Sequence, residues 1–256
     1  MGNEILTMTD GSIRYLTLNR PDKRNALNDA LITALKEGLS EADADESLRA
    51  IVIRGAGKDF CSGADLSALQ KISQSSFEEN LEDARNLAEL FAIIRNIKIP
   101  VIAAVHGRAL AGGCGLATGC DIVLATKSAR FGYPEVKIGF VPAIVTAILR
   151  RNVSEKRAFE LITQGHEFGA EEARSLGLVN RVFEDDSFED AVKVYVSAYA
   201  NVSRSAIVLS KRLLYQMDGM SFDEALTAGA IVNAEARMTD DCKEGIARFL
   251  GRSKPQ

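Results

Sequence analysis

The sequence predicts an α/β fold, a main domain of alternating strands and helices followed by a helical C-terminal stretch. Three observations carry that expectation. Short apolar runs alternate with segments whose apolar residues recur at three- and four-residue steps, and from about Ser154 onward the pattern turns almost wholly helical. The 256 residues, 46% hydrophobic and 26% charged, match a globular protein large enough for a sizeable core.

Residues 13–19, IRYLTLN, and 50–54, AIVIR, read as strands. Between them Ala30 to Ala42 places Leu31, Leu35 and Leu39 on one helical face. Glu78 to Ile97 repeats that spacing with Leu81, Ala84, Leu87, Ala88, Phe91 and Ile94, and Pro100 closes the connection. A strand with the look of a buried one, VIAAVH, runs into the glycine-rich stretch GRALAGGCGLATGCD at 107–121. DIVLAT at 121–126 is the next strand, followed by a loop and PEVKIGFVPA. The expected helices after that are SEKRAFELITQ, AEEARSLG, FEDAVKVYVSAYANV, SAIVLSKRLLYQM and SFDEALTAGAIVNAEARM, the last opened by a Ser221–Glu224 capping box. Phe222, Ala225, Leu226 and Val232 need cover from the main domain or from another subunit, which points to oligomerisation.

The net charge of -4 argues against nucleic acid and anionic lipid as partners. MGNEILTMTD lacks the features of a secretory signal, Leu6 breaks a myristoylation motif, and no apolar run approaches the roughly 18 residues of a membrane span, so a cytoplasmic protein is expected. Cys61, Cys114, Cys120 and Cys242 form no C-x-x-C pair and His106 and His166 stand far apart. Neither a metal nor a disulfide framework is expected, and the cysteines read as reduced packing residues.

Two glycine-bearing turns hold the chemistry. Gly113-x-Gly115-x-x-x-Gly119 is one residue too long for a dinucleotide fingerprint, and Lys127 follows the next strand where that fingerprint wants an acid. The same glycines let a carbonyl oxygen approach the N–H groups at a helix start, where the macrodipole favours negative charge; tight helix packing is the plainer explanation. Phe60 to Leu66, FCSGADL, is a second strand-to-helix turn of the same kind. On its own it would be a helix cap, with Ser62 or Asp65 as the capping side chain. Together the two turns supply the paired donors of an oxyanion hole.

KDFCSGADL at 58–66, GRALAGGCGLATGCDI at 107–122 and ARFGYPEVKIG at 129–139, in this order, resemble the crotonase superfamily of enoyl-CoA hydratases and isomerases. The resemblance extends to LNRPDKRNALN near the start, AEEARSLGLVNRV at 170–182 and FLGRSKP at the end, and so covers nearly the whole chain. It implies a crotonase-like spiral of β-β-α repeats over 1–195 and a helical oligomerisation region over 196–256, building trimers or hexamers. It assigns the oxyanion donors to the N–H groups of Ala64 and Gly112, acting on an acyl-CoA thioester. Coenzyme A is then part of the substrate, and no other cofactor or metal is implied. Lys23, Arg24, Ala26, Leu27, Ala64, Asp65 and Leu66 match the CoA-binding surface, and Lys254 its phosphate contacts. Gly112, Gly115 and Pro134 fall beside the acyl group.

Two-glutamate members of that superfamily carry one carboxylate in the helix after the oxyanion glycine and one in a "PE" segment. Glu135 matches the second and Gly115 stands at the first. Room for substrate or water is one reason for a glycine there, and drift is the alternative. A single carboxylate suits either a hydratase, taking a proton from water and returning it to Cα, or an isomerase. EVKIGFVPAIV at 135–145 together with Gly115 is similar to some bacterial methylglutaconyl-CoA hydratases, and favours hydration. A binder that has lost its chemistry is the remaining reading. Arg85 and Arg108 are candidates to meet an acyl carboxylate, and His106 reads as structural.

Overall fold

The structure is a computed structural model describing residues 4–252, apart from the side chains of Leu66, Ser67, Leu69 and Arg252. One unit recurs along the first two-thirds of the chain. A strand enters a large sheet, a shorter strand or single bridge enters a second layer, and a helix returns.

After β1 (Ile5–Asp10), the first unit is β2 (Ile13–Leu18), a bridge at Leu27 and α1 (Asp29–Ala44). The second is β3 (Ala50–Gly55), a bridge at Cys61, then α2 (Leu66–Gln74) and α3 (Phe77–Asn96). The third is β4 (Val101–Val105), β5 (Arg108–Leu110) and α4 (Gly112–Gly119). The fourth is β6 (Ile122–Thr126), β7 (Arg130–Gly132), a 3-10 turn at Pro134–Ile138 and α5 (Ala143–Asn152). Then follow α6 (Glu155–Gln164), β8 (Glu167–Gly169), α7 (Ala170–Ser175), β9 (Arg181–Phe183), α8 (Phe188–Ser197), α9 (Arg204–Gln216), α10 (Phe222–Met238) and α11 (Asp240–Arg252).

The large sheet runs β1-β2-β3-β4-β6-β9, parallel except for the β1–β2 hairpin, and the small one runs β5-β7-β8. VIAAV shows no polar alternation because both its faces are covered. Val101, Ala103 and Val105 join the main core under the helices, while Ile102 and Ala104 meet Phe188, Val192 and Val196 of α8. Helix starts follow their capping residues: Asn28 accepts from the Leu31 N–H, and Ser76–Glu79 and Ser221–Glu224 form complete capping boxes.

The expectation of an almost wholly helical chain after Ser154 is corrected by β8 and β9, each three residues long. Strands that short carry no periodicity of their own; they exist because β7 and β6 offer them a ladder. The boundary expected after residue 195 falls inside α8. Beyond it, α9 docks through Lys211, whose ammonium donates to the Ile94 and Ile99 carbonyls and to Asp121 at 2.7 Å, while the Tyr215 hydroxyl bonds the other Asp121 oxygen. Of α10 only Val232 is buried. Phe222, Leu226 and Ile231 are left exposed, as are Phe249 and Leu250 on α11. Among the described residues no helix is long and apolar enough to cross a membrane.

Candidate active site

The second layer is what assembles the site. Leu27 bridges Ala64: its N–H donates to the Gly63 carbonyl at 2.7 Å and its carbonyl accepts from Asp65 at 3.0 Å. Cys61 bridges Ala109 in the same way, donating to Arg108 and accepting from Leu110, both at 3.0 Å. Ala109 and Leu110 then pair with Phe131 and Gly132 of β7, and the Ala111 N–H donates to the Gly132 carbonyl at 2.8 Å. Three parallel lines thus lie side by side. Ala64 comes three residues after Cys61, Gly112 three after Ala109, and Glu135 four after Phe131, so all three leave the layer at its carboxyl end.

In a parallel bridge the residues flanking the bridged one make the ladder bonds, which turns the Ala64 N–H to the opposite side. Gly112 opens α4, and the Gly115 N–H, bonded to the Ala111 carbonyl at 3.0 Å, is the first to close a helical turn. Neither the Ala64 nor the Gly112 N–H finds an acceptor among the described residues. Ala111, at φ 49° and ψ -125°, holds a positive-φ conformation that a non-glycine residue adopts only at a cost of about 1–3 kcal/mol. Glycine is required where the turns meet: a Cβ on Gly63 would stand 2.8 Å from that of Ala111, and one on Gly113 would stand 2.2 Å from the Cys61 carbonyl oxygen. Gly113 therefore allows the backbone of Cys61 to approach α4 closely.

Glu135 follows a fully buried Tyr133 whose hydroxyl lies 3.4 Å from that of Thr118 on α4, tying the two segments of the site together. The carboxylate is half-buried and its Oε2 is shielded without a hydrogen-bond partner. Burial raises its pKa, opposed only by its own backbone N–H. The folded state therefore keeps the Glu135 proton to higher pH than the unfolded chain does, and stability falls as pH rises from the ordinary carboxyl range through the raised value. Glu135→Gln is expected to melt at or above wild type near neutrality and to lose that advantage in acid. Melting curves across pH check this; an advantage that grows on acidification contradicts it.

The reading of Gly115 as room for substrate or water is corrected. A Cβ built there would lie 2.3 Å from Val145 Cγ1, 3.1 Å from Val145 Cβ and 3.3 Å from Phe91 Cζ. Gly115 is buried where α4 packs against α5 and α3, and the side chain that fills its place is Val145.

Lys23 and Arg24 are exposed on a turn tied closely to the first donor loop. Sequence reasoning passed over the two residues that tie it, Arg20 and Asn25, although both lie in LNRPDKRNALN. Asn25 is fully buried at φ 54°; its side chain accepts from the Arg20 N–H and donates to the carbonyls of Ala56 and Asp59 at 2.9 and 2.7 Å. Arg20 pairs with Asp65 at 2.7 Å and with Glu4 at 3.1 Å. The side chains of Asp65, Ala26 and Leu27, three of the residues matched to a CoA-binding surface, are buried: Asp65 faces Arg20, and Leu27 anchors the bridge to Ala64. Ala64 is exposed and Pro134 half-buried. Leu66 opens α2, with its side chain outside the description, and Lys254 lies outside the described residues.

Arg85 pairs with Glu82 at 4.0 Å on the surface of α3, and Arg108 pairs with Glu167 at 3.5 Å at the amino end of β5, the end away from Gly112. His106 Nε2 lies 3.0 Å from the Gly57 carbonyl, the structural role expected of it. A cleft of 790 Å³ at the carboxyl end of the large sheet, lined by Lys58, His106, Arg108 and Arg130 among others, contains Arg108 but neither Ala64, Gly112 nor Glu135. Size alone does not locate the chemistry, which needs the donors and the carboxylate.

Residues 8–256 match the family described as Enoyl-CoA hydratase/isomerase. The chain is 34% identical over 254 residues to the 2,3-dehydroadipyl-CoA hydratase of Escherichia coli, covering 99% of this chain and 98% of that one. An enoyl-CoA hydratase of Mycobacterium smegmatis, solved by crystallography, superposes with a TM-score of 0.94 at 33% identity, over 99% of this chain and 98% of that one. Human enoyl Coenzyme A hydratase domain-containing protein 3 superposes with a TM-score of 0.92 at 28% identity, over 99% of each chain. With the repeat architecture, the paired turns and a match from residue 8 to the last residue in agreement, the chain belongs to the enoyl-CoA hydratase/isomerase family and has the crotonase fold.

Proposed function

We propose that this protein adds water reversibly to a 2-enoyl-CoA thioester, with Glu135 as its acid–base group and the Ala64 and Gly112 N–H groups as the oxyanion hole. The thioester oxygen accepts from both donors. Glu135, ionised, takes a proton from water as the water oxygen bonds Cβ, and the double-bond electrons move onto the thioester oxygen. The enolate then collapses, and Cα takes the proton from the Glu135 carboxyl group. One preorganised donor is typically worth about 3–4 kcal/mol of barrier. No electron acceptor or metal enters this balance, and coenzyme A stays attached to the acyl group throughout.

The observation that carries the reading is the half-buried Glu135 carboxylate, with one oxygen unpartnered among the described residues, at the same end of the layer as two N–H groups that lack acceptors among them. Relatives named as hydratases favour water addition over double-bond migration. Lys23 and Arg24, exposed on the turn tied to the first donor loop, are the cations proposed to meet CoA phosphates. The uncovered apolar residues of α10 and α11 support a homo-oligomer, a trimer or a hexamer, and buried free cysteines suit the reducing cytoplasm.

Incubation with 2-enoyl- and 3-enoyl-CoA esters bearing plain, branched and carboxylated chains, with products weighed by mass spectrometry, tests the reaction. A gain of one water on a 2-enoyl ester is expected. A shifted double bond at constant mass selects the isomerase, and tight binding without turnover selects the binder.

A further inference from the structure

Gly115 and Gly119 lie one turn apart on α4 and face the same neighbours. A Cβ on Gly115 would collide with Val145 and meet Phe91, and one on Gly119 would stand 3.2 Å from Ile148 Cδ1 and 3.6 Å from Phe91 Cδ1. Helices α3 and α5 thus clamp the turn of α4 that directly follows the Gly112 donor. Val145 is 4% exposed, on the helix that begins eight residues after Glu135. Its Cγ1 and Cβ, at 2.3 and 3.1 Å from an ideal Cβ, would both have to give, and rotating the side chain moves only the first. Glu135, for its part, owes its raised pKa to burial.

We infer that Val145 is the positioning residue that holds the reaction to one carboxylate: it fills the volume a second acid–base side chain at 115 would need. This rests on the hydratase reading above. Both proton transfers then pass through Glu135, which leaves water as the acid form and returns to the carboxylate when Cα is protonated. The cycle needs a single ionisation, with Glu135 deprotonated at its start, whereas a pair of carboxylates needs one ionised and one protonated.

Two measurements on the full-length protein test this. The first is a stability cycle. Gly115→Ala is expected to lower Tm by about 5 °C or more, and Val145→Ala in the same chain to restore part of that loss, giving a favourable coupling between the two sites. A Gly115→Ala protein as stable as wild type, or no coupling, overturns the packing claim whatever the enzyme's reaction. The second is the pH profile of kcat/KM for hydration, where wild type is expected to show one acidic limb and then a plateau. The double variant Gly115→Glu with Val145→Ala is expected to fold where Gly115→Glu alone does not, and to gain a basic limb from its new acid. A basic limb already present in wild type and removed by replacing another carboxylate overturns the inference. So does a folded double variant whose profile is unchanged. Absence of any hydration product would instead strike at the proposed reaction, with the stability cycle still deciding the packing.

Discussion

Glu135→Gln is expected to fold and to hydrate its substrate about 10²–10⁴ times more slowly, the usual contribution of a positioned acid–base group. The amide keeps the size and polarity of the carboxyl group, and Oε2 has no partner that the change would strand. The loss should lie in kcat with KM little changed, because the proton transfers belong to the transition state and the CoA contacts do not. Steady-state kinetics on the variant, with circular dichroism to confirm the fold, check this. Full activity in a folded variant would remove Glu135 from the mechanism and leave the family assignment standing.

Gly113→Ala is expected to damage both stability and rate, although it adds only one methyl group, aimed at the Cys61 backbone. The methyl carbon would sit 2.2 Å from the Cys61 carbonyl oxygen, which accepts the Leu110 N–H and holds the two donor turns together. Backbone on both sides of the contact leaves no flexible side chain to yield, so the bridge must open, at about 1–3 kcal/mol or more. Opening it displaces the Gly112 donor relative to Ala64, and losing one such donor costs about 10²–10³ in kcat. Gly229→Ala, on α10 with nothing within 4 Å of the added carbon, is the control and should leave both properties intact. Thermal melts and kcat on the two variants check the contrast; equal behaviour would contradict the rigid coupling of the turns.

Most long elements were legible because their periodicity is their own, although β1 and α5 went unread. Leu31, Leu35 and Leu39 mark α1 whatever surrounds them, and Ser221 with Glu224 marks the start of α10. Each three-residue strand was hidden, because β5, β7, β8 and β9 are strands only through the partners that tertiary folding brings to them. The site divides along the same line. Glycine-rich turns after strands pointed to a pair of backbone donors at helix starts, and the resemblance to the family is what assigned them to Ala64 and Gly112. Gly115 could not be understood alone: its meaning is written at Val145, thirty residues on, and in a helix whose packing direction no local pattern records. Asn25 was likewise illegible as a buried staple, because an asparagine in a charged loop looks solvated until Ala56, Asp59 and Arg20 close around it.

The most direct test of the oxyanion site is a crystal structure of the Glu135→Gln protein holding a 2-enoyl-CoA thioester. The thioester oxygen is expected within hydrogen-bond distance, about 2.7–3.2 Å, of both the Ala64 and Gly112 nitrogens, with Cα and Cβ facing the side chain at 135. A thioester oxygen bound away from either nitrogen, with the acyl chain seated elsewhere, would contradict it.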